Sequence, residues 1–362
     1  MDPRIREHAE TIATHSTSIE AGDTAVVQLP PAAEDLAVAL HEICGDRGAQ
    51  PVFLSYSQRA DRAYKRAADS FEEPAHRRAL YEETDVFVIA RGGANVTEGA
   101  DVAPETNAAY NRAIEAVKRE RLSKRWCLTQ YPTPGHAQLA GMSTEAYEDF
   151  VWDAVSIDWE AQGAFQAQLV ERLDDAEEVR IRSGDETDLT MSIAGNTAEN
   201  DTGEANLPGG EVFTAPVRES VSGVVHFDLP LYRYGREIDG VRLRFEDGRV
   251  VSHAADRNEE LLTGILETDE GSRYLGELGI GMNRAIDRFT YNMLFDEKMG
   301  DTVHMAVGSA YPETVGETNT VNESAEHVDM IVDMSEDSVI EVDGEVVQRD
   351  GTFVFEDGFE AA

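Results

Sequence analysis

Lysine is nearly missing from this 362-residue chain: Lys65, Lys118, Lys124 and Lys298 are the only four. Basic residues of both kinds total 31 against 71 Asp and Glu, a net charge of −40. That deficit excludes a nucleic-acid clamp, because affinity for phosphate backbones comes from clustered cations. An anionic membrane surface would be repelled for the same reason. Cysteine is as scarce. Cys44 and Cys127 form no C-x-x-C pair, so neither a thiolate zinc site nor a disulfide framework is expected. No apolar run approaches the ~18 residues of a membrane span, and the opening MDPRIREHAETIATHS lacks a basic-then-apolar leader. The expected location is cytoplasmic.

What is present is an ordinary complement of apolar residues, 41% of the chain, enough to build packed cores. The acidic excess therefore reads as a skin on a globular protein. With arginine supplying nearly all the cations, the chain reads as halophilic, since concentrated salt screens the self-repulsion such a charge creates. Single cores rarely grow far beyond ~250 residues, so the length predicts two domains.

Residues 4–19 read as an amphipathic helix, followed by apolar strands at 24–29, 51–56 and 85–90 with helices between them, and another strand at 126–130. Alternation of buried strand and helix predicts a parallel sheet. No G-x-G-x-x-G follows any of these strands, so Gly92-Gly93 reads as a turn, not a dinucleotide-binding loop. Helices around 143–157 and 159–174 lead to a change of texture near residue 176, after which short strands with period-two spacing dominate. The hairpin signal at Asp343-Gly344 is the strongest of these. The expected architecture is an α/β domain with a mainly parallel sheet over 1–175, and an α+β domain with a bent or barrel-like sheet over 176–362.

Four segments of the second domain carry chemistry. In TVHMAVG, alternation puts His304 on one face with Ala306 and Gly308, leaving room beside the imidazole for a metal, although a solvent-facing histidine gives the same pattern. In EHVDM, His327 and Asp329 project from one face of a strand and can chelate a divalent ion. His226-Phe227-Asp228 repeats that spacing, and the pattern alone does not choose between them. In LGELGIGMN, Glu277 sits among glycines and leucines, where a carboxylate needs a cation or a set of backbone amides to cap. Glu211, after the turn Pro208-Gly209-Gly210, reads by itself as one exposed acid among many.

Together, NLPGGEVF, GELGIGMN, RFTYNMLFDEKMGDTVHMAVGSAYPET and NESAEHVDMI resemble the M29 metallopeptidases, the aminopeptidase T family that includes leucyl aminopeptidases of thermophiles. The resemblance implies that Glu211 and Glu277 are the two glutamate ligands, His304 the first histidine ligand, and His327 with Asp329 the final pair. Glu277 would be shared by two metals and is the candidate general base, and Tyr311 would stand beside the site. His226 and Asp228 match no ligand of the family. Val328 stands where tryptophan is common and Arg284 where a proline follows the asparagine, departures that bear on substrate preference.

The function implied is removal of N-terminal residues from small peptides by a homodimeric enzyme with two divalent cations. Oxygen and nitrogen ligands without thiolate suit zinc or cobalt, and admit manganese or magnesium. Another dimetal hydrolase, such as a phosphoesterase, and a non-catalytic peptide- or metal-binding protein are the rival readings.

Overall fold

The computed structural model describes residues 1–233 and 235–360. They fall into two compact units, Met1–Ile157 with Gly203–Gly209, and Asp158–Thr202 with Gly210–Ala362. Among the described residues no helix is long and apolar enough to cross a membrane.

The first unit is built on a five-stranded sheet in the spatial order Gln50–Ser55, Thr24–Leu29, Val86–Arg91, Arg125–Gln130, Asn206–Leu207. All four pairings are parallel, as strand-helix alternation predicts. The central strands read as continuous apolar runs because both faces are covered: Val26, Val27, Phe87, Val88 and Cys127 are buried. The fifth strand has only two residues and arrives from far along the chain, so it leaves no period to read.

The second unit carries antiparallel sheets. One has eight strands, in the order 249–254, 241–246, 222–227, 187–192, 178–183, 338–342, 345–349, 352–353. A second has five, in the order His327–Asp333, Thr302–Gly308, Leu275–Gly281, Glu211–Thr214, Glu199–Asp201, and Leu231–Arg233 pairs with Arg236–Ile238 in a two-stranded ribbon. One apolar core, including Val179, Leu189, Phe227, Leu278, Met305 and Met330, serves the two larger sheets. The helix Trp159–Leu173, capped by the Asp158 side chain on the Ala161 amide, belongs to this unit. Its Leu169 and Leu173 enter the same core, and its Gln166 donates to the carbonyls of Asp201 (3.1 Å) and Glu211 (2.9 Å). A single cut after residue 175 therefore differs from this division at two places, this helix and the segment Gly203–Gly209.

Candidate metal centre

Strand register assembles the site. In the five-stranded sheet Glu211 pairs with Gly281, Gly279 with His304, Glu277 with Ala306, Ala306 with Asp329, and Gly308 with His327. Paired residues project from the same face of a sheet. All five candidate donors therefore share one face, with glycine or alanine between them, while Val303, Met305, Val307, Val328 and Met330 turn to the core. Gly279 is required here: a Cβ at that position would collide with the His304 ring. The register shift beside Gly276 sets Glu277 at its place in the row.

The side chains converge. Donor atoms of Glu211, Glu277 and His304 lie within 4.8 Å of one another, as do those of Glu277, His327 and Asp329. Glu277 belongs to both groups. Its Oε1 accepts from His304 Nε2 at 3.2 Å, and its Oε2 lies 3.3 Å from His327 Nε2. His304 Nε2 is also 3.2 Å from Glu211 Oε2, and His327 Nε2 is 3.5 Å from Asp329 Oδ1. The His327 ring is oriented by its other nitrogen, whose N–H donates to the Ser309 carbonyl at 2.8 Å.

Burial decides between the alternatives left by the sequence. His304 is 1% exposed, Glu211 and Glu277 5% each, so none is a solvated surface group. Glu277 lies inside a strand and caps no helix. Glu211 Oε2 and Glu277 Oε2 are buried with no hydrogen-bond partner among the described residues. Orphaned carboxylate oxygens facing imidazole nitrogens are the donor set that a divalent cation satisfies.

The electrostatics agree. Burial disfavours charge on both imidazoles, but the surrounding carboxylates outweigh it, lifting His304 to about 9 and His327 to about 11. The protons held there occupy positions that cations would take, since metal and proton compete for the same lone pairs. Asp329 stays ionised, drawn down to about 2 against its burial by the bond from His327.

Tyr311 follows the His304 strand, and its ring lies 5.1 Å from that of His327 and 5.8 Å from that of Phe213. Desolvation and then the carboxylates of Glu277 and Asp329 hold its phenol well above the ordinary value. It is a neutral donor at the edge of the site.

His226 and Asp228 are not part of this cluster. His226 lies on the eight-stranded sheet, 3.2 Å from Glu186, and Asp228 accepts from the Asp333 amide at 2.8 Å. Arg284 pairs with Asp301 and, at 2.9 Å, with Glu356. Val328 is buried on the core side, so it does not line the donor face.

One residue of this neighbourhood was not singled out by sequence. Lys298 is fully buried, with its ammonium 2.9 Å from Glu211 Oε1, 3.6 Å from Asp201 and bonded to Glu297. Despite burial, those three carboxylates hold it well above the ordinary lysine value, so it stays charged. The available signal was its rarity: one of four lysines, inside the motif FDEKMGD.

An α/β chain whose antiparallel sheet gathers three carboxylates and two imidazoles on one face falls, by its donor set, in the class of proteins equipped to hold divalent cations. Within that class the chain belongs to the thermophilic metalloprotease family M29, whose sequence pattern matches residues 1–359. Aminopeptidase 2 of Geobacillus stearothermophilus is 28% identical over 98% of this chain and 98% of its own length. Aminopeptidase T of Thermus aquaticus is 32% identical over 68% of this chain and 67% of its own. The solved structure of wild-type AmpT from Thermus thermophilus superposes with a TM-score of 0.84 at 26% identity, covering 97% of this chain and 99% of that one.

Proposed function

We propose that this chain is an aminopeptidase that hydrolyses the N-terminal peptide bond of small peptides at a centre of two divalent cations. Glu211, Glu277 and His304 would hold one, and Glu277, His327 and Asp329 the other. The observation that carries this reading is the division of Glu277, one oxygen toward His304 and the other toward His327.

When bound, the cations supply Lewis acidity toward the scissile carbonyl and a water acidified to near ~7. The protein does the rest. Glu277, the candidate base by resemblance, would accept the proton of the attacking water and return it to the leaving amine through a carboxylate oxygen freed from its ligand role during turnover. Tyr311, kept neutral, donates a hydrogen bond to the oxygen on which negative charge develops. Ser309 fixes the His327 ring, and Lys298 fixes one oxygen of Glu211. Across the neighbourhood, the carboxylates of Glu211, Glu277, Asp329, Glu297 and Asp201 balance Lys298 and two divalent ions, which favours a loaded site close to neutral.

The same reading includes zinc or cobalt as the cations, with manganese or magnesium compatible, and a preference for apolar N-terminal residues. It takes the enzyme to be a cytoplasmic homodimer, the dimer following from the family resemblance, and to be adapted to high salt, for which the net charge is the support.

Hydrolysis of an aminoacyl-nitroanilide in molar salt tests the proposal. Activity should disappear with chelator and in Glu277→Gln. Turnover of phosphate esters alone would replace the peptidase reading with the phosphoesterase one, and bound metal without any turnover would leave a binding protein.

A further inference from the structure

A separate feature of the first unit concerns charge of the other sign. A cavity of about 200 Å³ opens on one face of the parallel sheet, lined by Gln28, Arg77, Tyr81, Val117, Lys118 and Arg121 among its residues. The strands Thr24–Leu29 and Val86–Arg91 form its floor, and the helices Ala75–Glu82 and Glu115–Leu122 its walls. Every charged side chain in the lining is a cation, in a chain where acids outnumber bases by 40.

Acids are at hand on the same two helices but serve other bases. Arg78 pairs with Glu73 and Glu82, Arg119 with Glu115, and Lys124 with Glu120. Arg77, Lys118 and Arg121 make no ion pair among the described residues. Aromatic rings hold the two guanidinium groups instead: Arg77 lies over Tyr81 and Arg121 over Trp126, each 5.6 Å from the ring centroid. Such contacts fix a cation without neutralising it. The Tyr81 hydroxyl donates to Gln28 Oε1 at 3.2 Å, which leaves the Gln28 NH₂ as one more donor in the lining. Arg77 and Arg121 are half-buried and Lys118 is exposed at the mouth; burial, with Arg77 and Arg91, pulls Arg121 below its ordinary value, whereas Tyr81 and Tyr110 hold Arg77 above its own against its burial.

We propose that this cavity binds a phosphoryl group, free or as the monoester of a small molecule whose body rests on Ile89, Ile114 and Val117. Two guanidinium groups and an ammonium match a dianion better than a single carboxylate, and arginine pairs with phosphate oxygens in bidentate fashion. Gln28 and Ile89, paired across two parallel strands, set the floor of the cavity on the sheet face. The absence of a glycine-rich loop points to a small phosphate compound, not a dinucleotide.

Calorimetric titration of the full-length protein, at an ionic strength fixed with KCl, tests this with inorganic phosphate and with phenyl phosphate. Saturable binding is expected, weakened about tenfold in Arg121→Gln and in Lys118→Gln, with aminoacyl-nitroanilide hydrolysis unchanged in both. Tighter binding of phenyl phosphate would identify an ester as the occupant, and equal binding the free ion. Phosphate held at the candidate metal centre would persist in both variants. No saturable binding over the chloride background, or an unchanged affinity in the variants, would overturn the proposal.

Discussion

Lys298 Nζ stands 2.9 Å from Glu211 Oε1 and holds that oxygen while Glu211 Oε2 faces His304 at 3.2 Å. Lys298→Met would leave the buried Glu211 and the half-buried Glu297 and Asp201 around a missing cation, a change that costs about 3–5 kcal/mol when one partner of a buried pair is removed. The urea midpoint of the metal-free protein should fall accordingly, and a saturating divalent cation should restore part of the loss. An unchanged midpoint in the metal-free variant would show that the ammonium is not balancing these carboxylates.

Metal-free protein should lose stability with rising pH. His304 and His327 are raised in the folded chain to about 9 and about 11, above the ~6.5 of an unfolded histidine. The stabilisation their protons bring is complete below that unfolded value and is lost as pH climbs through the folded ones. Thermal melts from pH 6.5 to 10 should show a progressive decline. Loading with divalent cations should flatten it, because the ions displace the same protons. A melting temperature independent of pH in the metal-free protein would contradict the clustering of carboxylates around these rings.

Gly279→Ala introduces a methyl group where the His304 ring packs. Since the strand is paired on both sides, the imidazole is the group that must yield. Metal affinity at the Glu211, Glu277 and His304 group should drop about 10- to 100-fold, the range seen when the support of a ligand is disturbed. Calorimetric titration of the variant with zinc checks this, and retention of two full-affinity sites would rule it out.

Tyr311→Phe removes one hydroxyl at the rim of the site and no ligand. Its expected signature is a fall in kcat of about 10²- to 10³-fold, the loss of one oxyanion donor, with metal content unchanged. Steady-state kinetics with atomic absorption separates that outcome from a variant that simply binds less metal.

The parallel sheet was readable because its strands and helices alternate in apolar runs that end at Gly, Pro and Asp turns. Period two showed that His327 shares a strand face with Asp329, and His304 with Ala306, but it offered His226 and Asp228 equally; only the similarity of whole motifs chose between the pairs. Glu211 was not readable locally: its burial depends on facing Gly281, a partner set by strand register across a long stretch of chain, and its own neighbours look like any acidic turn. The same similarity brought it forward. Lys298 was missed because a lysine between Glu297 and Met299 looks solvated until three carboxylates are found around it. The two-residue strand at Asn206–Leu207 and the transfer of the Trp159–Leu173 helix to the second unit are decided by tertiary pairing, which local pattern does not encode.

Because neighbouring strands set the donors in one row, a slip of a single residue in any of them would swing its carboxylate or imidazole into hydrocarbon. Insertions in the connections on either side of these strands are therefore tolerable only if the ladder itself is untouched. Ion uptake during refolding should consequently rise in step with closure of this sheet, and can be used to time it.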